Sequence, residues 1–192
     1  MKNYITAILL LVLFSFSFSS QSLAFEKLQK KDQLTEIDSF PVPKNIPNLL
    51  FYIQRDPNTN TICYNVNLAA NGEADKENPI DIYWIRYPEG GGRKELNYFQ
   101  RKFAYGINSK SLGNGEFELR SVAYNKLPIY LRKDDKNKYR VYTKINNKDC
   151  VLNRVFIRID GGSFWHPNVL YIEVKGKEVG TGKTITQRII PK

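Results

Sequence analysis

The sequence predicts an all-β protein: a single antiparallel barrel or sandwich of about nine short strands, with one short helix near residues 94–104 and an extended N-terminal arm. Three observations carry this. From Leu49 onward apolar residues recur mostly at every second position, the period of half-buried strands. Turn-forming residues separate these runs. The composition is that of a folded chain, 42% hydrophobic and 13% aromatic.

The first element is a leader. Met1–Asn3 is a short positive start, and Ile5–Phe18 is apolar apart from Thr6, Ser15 and Ser17. Ser22, Leu23 and Ala24 then place small residues where a signal peptidase reads. This pattern predicts a secretory signal peptide over residues 1–24, cut near Ala24. The apolar run is shorter than the roughly 20 residues a spanning helix needs. The chain is therefore expected to be exported, periplasmic or secreted, with no transmembrane segment after cleavage. Residues 25–48 read as an arm, charged up to Asp38 and then punctuated by Pro41, Pro43 and Pro47. Prolines at that spacing favour extended chain.

Residues 49–192 form the single β domain. Leu49–Arg55 opens it. Ile62, Tyr64, Val66 and Leu68 alternate with Cys63, Asn65 and Asn67. Ile80–Tyr87 is apolar on both faces, with Ile82 and Trp84 opposed to Tyr83 and Ile85. A central strand covered on both sides explains that pattern, and so does a barrel wall lining a ligand. The second account tilts the choice slightly toward a barrel. Leu96, Phe99 and Phe103 fall at i, i+3 and i+7, and Gly106 follows, which predicts a helix packed on the sheet. Glu116–Tyr124, Pro128–Arg132, Tyr139–Ile145, Val151–Asp160, Leu170–Lys175 and Lys183–Ile190 complete the strands. Asn71-Gly72, Asn114-Gly115, Asn146-Asn147 and Gly161-Gly162 are among the turns between them.

The chain has 29 Lys+Arg against 19 Asp+Glu, a net charge of +10. An exported basic protein meets little nucleic acid. Its expected polyanions are acidic glycans, lipid head groups or acidic protein surfaces. Charge that only keeps the protein soluble is the plainer account. Cys63 and Cys150 are the only cysteines. In an oxidising compartment such a pair predicts one disulfide, with two buried thiols as the alternative.

Four phrases stand out together: Leu50–Arg55, Asn60–Tyr64, Pro79–Ile85 and Phe103–Gly106. With them the chain resembles the domain-of-unknown-function family 4833, exported proteins of uncharacterised role, from about Phe40 onward. The resemblance implies export and assigns no residue a role.

Several motifs imitate sites of chemistry. Gly180–Thr184 imitates a phosphate loop, but Lys177 stands where its first glycine belongs and a strand follows instead of a helix. Asp56, Asn58 and Asn60 imitate a calcium loop, but Thr61 and Asn67 replace its glycine and glutamate. His166 is the only histidine and has no ligand-like spacing to either cysteine, so no metal and no cofactor are expected. Glu116 and Glu118 share a strand face, and Asp81, Asp160 and Glu173 are further carboxylates for acid–base work.

The most suggestive surface is basic and aromatic. Arg140, Tyr142 and Lys144 share one strand face, Arg154, Phe156 and Arg158 a second, Arg120 and Tyr124 a third. Facing one way, they would bind acidic sugars or lipid head groups by ion pairing and stacking. The reading favoured by the sequence is thus an exported, non-enzymatic ligand-binding or envelope-associated protein. Its alternatives are a carboxylate-dependent hydrolase acting on sugars and a protein-interaction or structural module.

Overall fold

A computed structural model describes residues 40–163 and 166–191. The leader, most of the arm, and Trp165 lie outside the described residues. Pro41–Lys192 make one compact unit.

Eleven strands join in one sheet: β1 Leu49–Arg55, β2 Thr61–Val66, β3 Ile80–Arg86, β4 Gly92–Glu95, β5 Ile107–Gly113, β6 Glu116–Ser121, β7 Ile129–Lys133, β8 Tyr139–Ile145, β9 Lys148–Gly162, β10 Pro167–Glu178 and β11 Thr184–Ile189. Nine run in the order β4-β3-β2-β1-β9-β8-β7-β6-β5 and curl into a half-barrel. The predicted all-β class therefore holds. The 15-residue β9 is its hinge. It pairs antiparallel with β8 through Lys148–Val151, then parallel with β1 through Arg154–Ile157. Along its other edge it carries β10, which pairs β11. The β1–β9 pair is the one parallel pairing among those described, a departure from the purely antiparallel expectation.

Alternation decides what each face does. The inner face of the curl gathers Phe51 of β1, Ile62, Tyr64 and Val66 of β2, Ile82 and Trp84 of β3, and Val174 of β10, all buried in one core. Across the curl, Phe117, Leu119, Ile129, Leu131, Val141 and Ile145 join the same core. Phe51 and Tyr64 stack with ring centres 4.4 Å apart. The tail of the arm lies on the outer face. Gln54 Nε2 donates to the Pro41 carbonyl at 2.7 Å, and Asn65 Nδ2 donates to the Pro47 carbonyl at 2.7 Å.

β9 changes parity partway. Lys175 opposes Arg154 while the next residue, Gly176, opposes Leu152. Asn153 is thus an extra, exposed residue, a bulge. It turns Cys150 and Leu152 into the core beside Ile145 and Val174. A count by twos without the bulge places Cys150 with Arg154 and Arg158, on the polar side, and this is where the disulfide expectation fails. Both cysteines are free and buried. Cys63 sits on the outer face, opposite Tyr52, which in turn opposes Arg154. That is two strand spacings sideways and four residues along, or roughly 15 Å, against the about 4.4–6.8 Å a disulfide needs.

The curl stops short of closure. Its edges are β4 and β5, and the chain between them forms a helical turn, α1 Tyr98–Gln100, that runs into a wider turn over Arg101–Tyr105. A capping box starts it: Gln100 N donates to Asn97 Oδ1 at 2.8 Å, and Asn97 N donates to Gln100 Oε1 at 3.0 Å. The segment then fills the seam. Trp84 Nε1 donates to Gln100 Oε1 at 3.3 Å, Tyr64 OH donates to the Tyr105 carbonyl at 2.8 Å, and Trp84 meets Tyr105 edge-on at 5.1 Å. A short helix is therefore present beside the two-sided strand, but not on the expected face. Phe99 and Phe103 are 54% and 49% exposed, Leu96 precedes the helical turn, and Gln100 and Tyr105 make the contacts with the sheet instead. The helix begins later than Lys94, because Gly92–Glu95 pair with β3 instead.

Candidate functional site

The inner face is not filled along its whole length. A cleft of about 520 Å³ opens where the two wings of the curl face each other over β9 and β10. One wall is Phe51 and Ile53 of β1. The floor is Val155, Ile157 and Ile159 of β9 with Ile172 and Val174 of β10. The far wall is the β6–β7 connection, Ser121–Tyr124 with Leu127, and the rim carries Phe103, Ala104 and Tyr105 from the seam segment. This volume is within the range of small-ligand sites, and an apolar wall with a few polar groups is their usual chemistry.

Arg55 supplies the charge. It closes the inward row Phe51, Ile53, Arg55 and is the one charged residue among the described residues lining the cleft. Its guanidinium carbon lies 6.0 Å from the ring centre of Tyr105. Burial raises the Tyr105 phenol above its ordinary pKa, and the Arg55 charge and hydrogen bond oppose that rise. The neighbouring Asp56 does not neutralise Arg55, because it faces the other side of the strand and meets Arg158 Nη1 at 2.8 Å.

The predicted basic strips fare differently. Arg140, Tyr142 and Lys144 do lie together on the outer face of β8. Arg140 Nε meets Asp134 Oδ2 at 3.2 Å, and Lys144 Nζ meets Asp149 Oδ1 at 3.1 Å. Tyr142 lies under Arg132, whose guanidinium carbon is 4.9 Å from its ring centre. Arg154, Phe156 and Arg158 share the outer face of β9, yet Arg154 is 6% exposed and Phe156 is fully buried. The two strips therefore do not merge into one open cationic surface. A polar–apolar alternation cannot distinguish an outer face that is solvated from one that is covered. The third strip separates too: Arg120 pairs with Glu118 at 2.7 Å, whereas Tyr124 lines the cleft.

The carboxylates considered for acid–base work are dispersed. Asp81 pairs with Arg93 at 3.0 Å, Glu118 with Arg120, and Glu173 with Arg188 at 2.9 Å. None of these, and neither Glu116 nor Asp160, lines the cleft. His166 is exposed in the β9–β10 turn. Among the described residues no helix is long and apolar enough to cross a membrane.

Sequence reasoning passed over Arg55. The signal was available: a charge ends an inward apolar row whose outward partners, Tyr52 and Gln54, are the more polar set. It also passed over the row Val155, Ile157, Ile159 by attending to the arginines that alternate with it.

One family matches the chain, described as "Domain of unknown function (DUF4833)", over residues 51–188. No curated protein and no solved structure matches it.

Proposed function

The chain belongs to the DUF4833 family, and on that premise we propose that it is an exported, non-enzymatic binding protein that holds a small apolar molecule in the half-barrel. The observation that carries the reading is the cleft of about 520 Å³ with its continuous floor of Val155, Ile157, Ile159, Ile172 and Val174. An apolar wall of this extent, kept open inside a close-packed protein, forgoes contacts that a bound apolar body would supply. Burial of such a body is worth roughly 25 cal/mol per Å² removed from water. Export rests on Lys2, the Ile5–Phe18 run and the Ser22–Ala24 site.

The neutral fluorophore N-phenyl-1-naphthylamine tests the site. It should bind saturably with one probe per chain, its emission shifted to the blue. Ile157→Trp, which fills the floor, should weaken that binding about tenfold or more with the fold retained, since overfilling removes the space and the ligand's contacts together. A parent protein that leaves the probe's spectrum unchanged would refute the reading. Export is tested separately: N-terminal sequencing of protein made by its native host should begin at or near Phe25, and a retained Met1 in the cytoplasm would count against it.

A further inference from the structure

We propose that Arg55 is an anchor for an anionic head group, so that the cleft takes a single-headed amphipathic carboxylate with its hydrocarbon chain over the β9–β10 floor. This rests on the reading of the cleft as a binding site and adds the class of its ligand.

Most of the described arginines of this chain are paired with carboxylates. Arg86, Arg93, Arg120, Arg140, Arg158 and Arg188 each hold a carboxylate in direct contact, Arg101 meets Glu95 at 3.6 Å, and Arg154 is buried on the outer face over the Phe156 ring. Arg132 has no such partner among the described residues, but it is exposed on the outer face, where water serves it. Arg55 is different in both respects. It is only partly exposed, it faces inward, and its described side-chain partner is the buried aromatic Tyr105. Among the described residues no aspartate or glutamate lines the cleft with it.

A cation beside an apolar wall loses solvation that only an anion or water restores. The guanidinium is planar and presents a fork of donors that matches the two oxygens of a carboxylate. Tyr105 packs against it and limits the side-chain freedom that binding would otherwise have to freeze. The rest of the described wall carries no charge. One anion at one end and hydrocarbon along the remainder is the ligand that leaves no group mismatched.

The test compares dodecanoate with dodecanol as competitors of N-phenyl-1-naphthylamine, in the parent protein and in Arg55→Gln. The parent should bind dodecanoate about tenfold or more tightly than dodecanol, the worth of one charged hydrogen-bonded contact. Arg55→Gln should bring the two to near equality, each competitor being read against that variant's own affinity for the neutral probe. Equal affinity of the parent for acid and alcohol would overturn the proposal, and so would an Arg55→Gln protein that keeps the preference for the acid. The parent ratio needs no variant, so the proposal can fail even if Arg55→Gln does not fold. A cleft that binds no probe at all refutes the binding reading itself, whereas probe binding without a preference for acid refutes only the anchor.

Discussion

Tyr139 fastens the loop after β2 to the opposite wing of the sheet through its hydroxyl. That hydroxyl donates to Glu73 Oε2 at 2.7 Å and accepts from the buried Ala74 N at 3.0 Å. Lys133 Nζ holds the other carboxylate oxygen at 2.7 Å. Removing the hydroxyl with Tyr139→Phe leaves a buried N–H unsatisfied, and should cost about 1–3 kcal/mol. A lowered urea midpoint with an unchanged slope would report it. Hydrogen bonds from Lys133 and then Tyr139 hold the Glu73 carboxyl below its ordinary pKa. A depressed carboxylate adds stability that is full above its unfolded value, near 4.3, and is lost as the pH falls through the folded value. Glu73→Gln should therefore flatten the stability profile below about pH 4.5 and change its shape little above pH 6. A profile that stays parallel to the parent's down to pH 2 would show that the Glu73 bonds are not felt in solution. None of this cluster was legible in the sequence, because Glu73 and Tyr139 are far apart in the chain and only the curl brings them together.

Among the elements, legibility follows coverage. Strands whose residue types alternate announced themselves: β2, β8, β9 and β10 all overlap the expected runs, although β2 is buried at every position and β10 extends beyond Leu170–Lys175 at both ends. β4 and β5 went unseen, and the physical reason is that they are edges. Gly92–Glu95 is exposed throughout, and of Ile107–Gly113 only Ile107 is partly buried. Such a strand owes its conformation to the neighbour it pairs with, not to an apolar rhythm of its own. The bulge at Asn153 was hidden for a related reason: a single added residue alters no composition, yet it moves every later side chain of β9 to the opposite face. Gly176 marks where β10 answers it. A Cβ there would lie 2.6 Å from the Val151 carbonyl oxygen and 2.8 Å from Ile145 Cδ1. The first of these is backbone and cannot swing away. Gly176→Ala should thus destabilise the protein by about 1–3 kcal/mol, as overfilled cores do, although alanine suits a strand better than glycine elsewhere. Thermal denaturation would decide: a variant as stable as the parent would mean that the β9–β10 approach relaxes at no cost.

For the molecule as a whole, the question is what holds a half-barrel together when it neither closes nor carries a crosslink. The parallel β1–β9 pair joins distant parts of the chain, and no local pattern could have foretold it. The two cysteines lie on opposite faces of the sheet, Cys150 in the core and Cys63 beneath the outer face. Burial pushes the Cys63 thiol up to about 12 and raises the Cys150 thiol as well. The thiolate is the reactive form, so both should stay reduced even in an oxidising compartment. A disulfide closing a loop this long would contribute about 4 kcal/mol in the chain-entropy model, which in a domain of this size is roughly 8–16 °C of melting temperature. A shift of that size is readily measured. Dithiothreitol should leave the melting temperature of the native protein unchanged. Iodoacetamide should modify neither cysteine in the folded state and both in urea, read by mass. A fall of several degrees on reduction, with both cysteines blocked in urea until a reductant is added, would mean that the two strands meet in a way this fold does not allow.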